Sequence, residues 1–234
     1  LYEAKYERPV IWESLYKIEA EKDIDAAYRY IEEGRALFPD DANLLFADIN
    51  HSLKTNQLDA LLGKLEAGIA AEPENVSLYV VTGSVYEQLY SQLAKEEGQE
   101  EKSTEYFNKA IEFYNKAISM DPSFASPVYS IGALYFNKAA IMSQELETLS
   151  QDYSKEGLKK FDEFLVKVQA EFENALPYFQ KAESMDPNDV NTLIALKEIY
   201  ARRDQLDLSE EFKKRLDNVQ SGESNPTSYF PKQN

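Results

Sequence analysis

A phrase is written twice in this chain. YNKAISMDP, Tyr114 to Pro122, returns 65 residues later as FQKAESMDP, Phe179 to Pro187. Both are helical stretches closed by a proline, and the same closure recurs in GRALFP at Pro39 and GIAAEP at Pro73. Successive closing prolines stand 34, 49 and 65 residues apart, so the later gaps exceed the first by 15 and 31. A period of about 34 residues interrupted by insertions is the signature of a repeat array whose unit is a helical hairpin. The expected class is therefore all-α.

Residues at fixed offsets from each proline define the packing. Counting forward gives Val128, Ile131, Gly132 and Tyr135 after Pro122, and Tyr79, Thr82, Gly83 and Tyr86 after Pro73. Counting back gives Ala110, Tyr114 and Ala117 before Pro122, and Ala175, Phe179 and Ala182 before Pro187. The steric logic is a small residue where two helices approach, an aromatic filling the space between, and a proline where the second helix stops. In the first two units Gly34 and Gly68 stand for the alanine, and Ile31 and Leu65 for the aromatic.

On these residues the chain resembles the tetratricopeptide repeat family, whose pattern is close to V128-x-x-I131-G132-x-x-Y135 and A175-x-x-x-F179…P187. The resemblance implies a right-handed α-α solenoid of about five hairpins, two of them lengthened. Its units would span 8–39, 40–73, 74–122, 123–187 and 188–220, one solenoid over 1–220 with an extended tail over 221–234. In the last unit Lys197 replaces the glycine and no proline closes the second helix. That unit reads as an atypical cap whose outer face is wetted by Lys213, Lys214 and Arg215. Asp41, Asn75 and Asp189 are expected N-caps, Ser126 and Pro127 a cap and first-turn pair, and Pro177 a kink or break.

Insertions that leave the motif intact at both ends are expected to lengthen both helices of a hairpin, by about two turns each in the third unit and four in the fourth. Leu158, Phe161, Leu165, Val168, Phe172, Ala175 and Phe179 alternate spacings of three and four, a coiled-coil seam. The opposing strip is Tyr135, Met142, Leu146 and Leu149, with the turn near 151–157. Ile141, Phe164 and Val166 lie off this seam. They read either as a contact surface, for instance with a second copy, or as packing against the neighbouring hairpin that ends near Gly98.

Charge and motifs exclude several functions. The net charge of −17 opposes nucleic-acid binding. It is concentrated before residue 188, where 34 acidic side chains face 18 basic ones. No apolar run is long enough to span a membrane. Without cysteine there is no thiolate metal site or thiol nucleophile. The single histidine, His51, lacks a partner ligand and reads as structural or exposed. No phosphate loop or hydrolase motif occurs, and Asp186 to Asp189 lacks the glycine and distal glutamate of a calcium loop. No enzyme activity, cofactor or metal is expected.

The resemblance implies a concave, peptide-binding face lined by first helices. It places Trp12, Phe46, Val80, Tyr129 and Ile194 in one row and Tyr16, Asn50, Ser84, Ala133 and Glu198 in a parallel one. The lining suits an apolar or aromatic segment, and no basic clamp for a C-terminal carboxylate is present. The expected function is a non-catalytic interaction scaffold for an unidentified protein or peptide. The alternative is a self-assembling, homo-oligomeric repeat protein that uses the long arm or the tail. Tyr229 and Phe230 either dock in a groove, their own chain's or a neighbour's, or belong to a frayed end. The long hairpins resemble those of exported repeat proteins of Gram-negative bacteria, which implies export with a removed leader, with the cytoplasm as the alternative.

Overall fold

The computed structural model describes residues 8–39, 41–55 and 57–231. Among them are ten α-helices and no strand: α1 Pro9–Ala20, α2 Ile24–Leu37, α3 Ala42–Lys54, α4 Leu58–Ala71, α5 Val76–Leu93, α6 Glu100–Met120, α7 Ala125–Leu149, α8 Lys155–Met185, α9 Val190–Arg202 and α10 Leu206–Gln220. The fold is all-α, of tetratricopeptide-type hairpins. The chain divides into two compact units, Leu1–Val85 and Tyr86–Asn234.

Proline sets where α2, α4, α6 and α8 stop. The residue before each proline, Phe38, Glu72, Asp121 and Asp186, leaves the helical region with ψ of 69°, 70°, 92° and 99°. The proline ring disfavours the helical conformation in its predecessor, and at these four positions the helix ends there. Each of these residues still donates its N–H to the carbonyl four positions back, on Gly34, Gly68, Ala117 and Ala182. The small packing residue thus also accepts the last helical hydrogen bond. Two residues beyond the proline, Asp41, Asn75 and Asp189 accept from Leu44, Ser77 and Thr192 N–H and start the next helix. The fourth start differs from expectation. Helix α7 begins at Ala125 after Phe124, which makes no side-chain cap, and Pro127 is buried inside the first turn.

In the first unit a core forms from Trp12, Tyr16, Ala27, Tyr30, Ile31, Leu44 and Ala47. Gly34 permits it: a Cβ there would lie 2.8 Å from Trp12 Cβ and 3.1 Å from Leu44 Cδ2. Beside this core, Asp48 accepts from Tyr28 at 2.8 Å, from Lys64 at 2.6 Å and from Arg35 at 2.8 Å. The buried carboxylate is satisfied by α2 and α4 together, which ties three helices to one residue.

In the second unit aromatic pairs link consecutive helices. Tyr90 meets Phe107 at 5.2 Å, Phe107 meets Tyr135 at 5.3 Å, and Tyr135 stacks on Tyr178 at 6.1 Å. At Gly132 the ring of Phe179 and the Cβ of Tyr178 come within 3.2 Å of where a Cβ would stand. The insertions are not shared equally: α5 and α6 run 18 and 21 residues, α7 and α8 run 25 and 31. The second helix of each hairpin takes more. Of the kink or break expected at Pro177, the break does not occur: α8 continues through it, its proline ring exposed. The arm's seam buries Val168, Phe172, Ala175 and Phe179, with Met142 and Leu146 packed against them. Leu158 falls outside it, and Phe164, expected to face outward, is packed into it.

The tail is a strap. Glu183, fully buried on α8, accepts the backbone N–H groups of Tyr229 at 2.7 Å and Phe230 at 3.1 Å and pairs with Arg215 at 3.1 Å. Phe230 stacks on Phe212 at 5.7 Å, and Tyr229 meets the same ring edge-on at 5.3 Å. Buried Asn225 receives Asn218 Nδ2 at its side-chain oxygen and donates to the Pro187 and Arg215 carbonyls. Residues 225–230 are therefore not frayed, and Arg215 is not a wetted residue of the outer face. Lys213 and Lys214 remain exposed.

These contacts set measurable differences in stability. Gly34→Ala should cost about 1–3 kcal/mol, because backbone-borne Trp12 Cβ cannot move aside. Gly63→Ala, exposed in α4 with nothing within 4 Å, should stabilise by about 0.5–1 kcal/mol. Chemical denaturation of both variants checks the contrast. Glu183→Ala leaves two amides without their acceptor, while Arg215 keeps Glu211 and the Thr227 carbonyl, and should cost about 1–3 kcal/mol. Removing residues 223 onward should instead expose Phe212, seen as a gain in aromatic quenching by acrylamide.

Candidate interaction face

The side chains named for a peptide-binding face separate on folding. Trp12 and Tyr16 do not line a surface. Both are 5% exposed, drawn into the first unit's core because Gly34 leaves room for the indole. Phe46, Val80 and Ser84 are half-buried and Asn50 is exposed. In the second unit Tyr129 and Ala133 are half-buried on α7, Ile194 is 42% exposed on α9, and Glu198 pairs with Arg202 at 2.9 Å. Gly83, Ala110, Tyr114, Ala117, Ala175, Phe179 and Ala182 are buried packing residues. Tyr86 and Pro187 are half-buried, and Pro122 is exposed.

Tyr129 stands over a cavity of about 270 Å³ formed by the first turns of α7 and α9 and the end of α8. Ala125, Ser126 and Ala182 make part of its wall, and Asp186, Asp189, Asn191 and Thr192 bring polar groups to it. Phe179, behind Tyr129 at a centroid distance of 5.8 Å, fixes the ring edge-on. Burial first, then the charges of Asp189 and Glu87, push the Tyr129 hydroxyl above its ordinary value. Glu87 is itself raised by burial, although Tyr114 donates to it at 2.6 Å. The phenol thus stays protonated and able to donate in the physiological range. The tail reaches this region from behind: Asn225 N–H donates to Asn188 at 2.7 Å, holding the α8–α9 turn that carries Asp186 and Asp189. Nothing in the spacing of the repeats foretold that support.

The three residues assigned to an arm surface go three ways. Phe164 is half-buried and packs against the arm's core. Ile141, half-buried on α7, lines a cleft toward the α5–α6 hairpin. Val166 is 64% exposed on the other side of the arm, beside a cavity of about 510 Å³ that includes Ile199, Arg202 and Arg203. Arg202 and Arg203 are engaged by Glu198 and Glu173.

His51 is neither exposed nor at a surface site. It is buried, stacked on Tyr28 at 4.1 Å and edge-on to Tyr16, whose hydroxyl lies 3.4 Å from Nδ1. Burial, with the nearby Lys64 ammonium, lowers its pKa below 6.5 against the opposing influence of Asp25, Asp48 and Glu32. Among the described residues no cluster of three potential ligands could hold a metal ion, and no helix is long and apolar enough to cross a membrane. Because the unfolded chain binds the histidine proton near pH 6.5 and the folded chain only below that, the His51 contribution is present above about 6.5 and lost as pH falls. Denaturant unfolding at pH 7.5 and 5.5 should show a smaller loss of stability in His51→Phe than in the wild type.

No family model matches the sequence, and no curated protein matches it. Solved structures do. The crystal structure of MamA protein is 13% identical, covering 91% of this chain and 92% of that one with a TM-score of 0.63. A MamA chain from Desulfovibrio magneticus RS-1 is 12% identical, covering 95% and 100% with a TM-score of 0.63. A thermophilic TPR protein of Thermus thermophilus is 19% identical over 83% of this chain and 100% of that one, with a TM-score of 0.47. At such identities the likeness to the MamA structures is one of fold alone.

Proposed function

We propose that this chain of tetratricopeptide-type hairpins is a non-catalytic protein-interaction scaffold, in five units bounded by 39, 73, 122 and 187 with a tail over 221–234. Its binding face is the one lined by first helices, and within the second unit the peptide contacts Tyr129, Ala133 and Ile194. The observation that carries the reading is the Tyr129 cavity of about 270 Å³. An aromatic ring held edge-on, small residues around it and several polar groups suit one side chain of an extended peptide, with main-chain hydrogen bonds at the margin.

Self-assembly through the arm or the tail is the weaker reading. Tyr229 and Phe230 pack on Phe212 of their own chain, and Phe164 packs in the arm. Of the set, Val166 is 64% exposed and Tyr229 keeps 43% of its surface open.

Selection from a random peptide library on the wild-type protein, with counter-selection on Tyr129→Glu, tests the scaffold reading. Recovered peptides should bind the wild type and lose at least tenfold in affinity on Tyr129→Glu, while Val166→Glu binds normally. A library that yields no binder sensitive to Tyr129 defeats the reading, and a dimer in light scattering that Val166→Glu dissociates would favour self-assembly.

A further inference from the structure

A second, larger cleft lies away from the Tyr129 cavity. It has a volume of about 620 Å³ and separates the end of the α5–α6 hairpin from the arm formed by α7 and α8. Both walls belong to the lengthened hairpins. Without the extra 15 and 31 residues between closing prolines this space would not exist.

The floor is apolar. Leu93 and Ala94 come from the end of α5, and Ile141 and Met142 from α7, all half-buried. Along α7 the lining residues Lys138, Ile141, Met142, Glu145 and Thr148 recur at spacings of three and four, one stripe of a helix about 15 Å long. Such a stripe presents ridges and grooves that another helix matches, so the complementary occupant is helical and about three turns long.

The rim fixes the sign of that occupant. Glu96, Glu97, Glu100 and Glu145 stand against two amines, Lys95 and Lys138. Lys138 is already committed, paired with Glu171 at 2.6 Å and set over the Phe107 ring at 4.7 Å. The cleft therefore carries an unmatched negative charge around an apolar strip. We propose that it docks a basic amphipathic helix of a partner protein, whose apolar side chains enter between the hairpins while its Lys or Arg residues face the glutamates. Nothing in this depends on what occupies the Tyr129 cavity.

The probe is a fluorescein-labelled four-turn peptide of Leu and Lys with Leu at i, i+3, i+4 and i+7. Its controls are the same peptide with Glu for Lys and a version with the Leu positions scrambled. Anisotropy should show binding of the first peptide and at least tenfold weaker binding of both controls. Glu97→Lys/Glu145→Lys and, separately, Ile141→Glu should each weaken the first peptide at least tenfold, with Tyr129→Glu unchanged. Glu97 and Glu145 are exposed, so their reversal leaves the fold intact should Ile141→Glu disturb it. Several results would overturn the proposal: absent binding, equal binding of the scrambled peptide, cleft variants that bind like the wild type, or an equal loss in Tyr129→Glu.

Discussion

The whole arrangement depends on a large side chain lying against a residue too small to resist it. Trp12 rests on Gly34, and Phe179 and Tyr178 rest on Gly132. Helices that touch in this way approach closely enough for dispersion contacts to be complete on both sides, and the approach fixes which way each helix faces. At the end of each second helix the small residue, Gly34, Gly68, Ala117 or Ala182, also accepts the final helical hydrogen bond before proline turns the chain. One residue type thus settles packing and length together. A repeat can diverge in nearly every other letter and keep its hairpin.

That coupling explains why the hairpins were legible from sequence and several side chains were not. Closing prolines and their offsets mark local events, and local events are written locally. Trp12 stands at the offset of a lining residue, yet the glycine facing it lets the largest side chain in the chain move inward. Phe164 lies off a strict coiled-coil seam, but a straight helix buries a wider stripe than an a/d seam. Leu158 is lost from the same seam near the tip. Arg215 and the tail were illegible for another reason: Glu183 lies 32 residues from one and 46 from the other in sequence. No spacing rule connects them.

The strap covers part of α10. Without it Phe212 would lose the Tyr229 and Phe230 rings that pack on it. A buried carboxylate is a costly way to anchor a cover, because desolvation of the charge opposes folding. Here the charge receives two backbone N–H groups and a guanidinium, which are charge-assisted bonds of about twice the ordinary strength. The result specifies direction as well as closure. The two successive amides of Tyr229 and Phe230 fit the two carboxylate oxygens, and Pro231 adds no further amide.

Lengthening hairpins works the other way. Ordering each added residue costs about 1–2 kcal/mol of backbone entropy, and the added turns bury apolar surface only along the seam between two helices. A two-helix arm has no second layer, so its outer faces stay partly wet, as Ile141 and Val166 are. A repeat whose only task was to continue the stack would gain nothing from such turns. The seam of Val168, Phe172 and Phe179 offsets the ordering of the added turns, and Phe172 also lies under Arg202 of α9. Packing inside the arm sustains the surfaces so raised, which leaves the repeat motif itself free to hold the neighbouring hairpins in register.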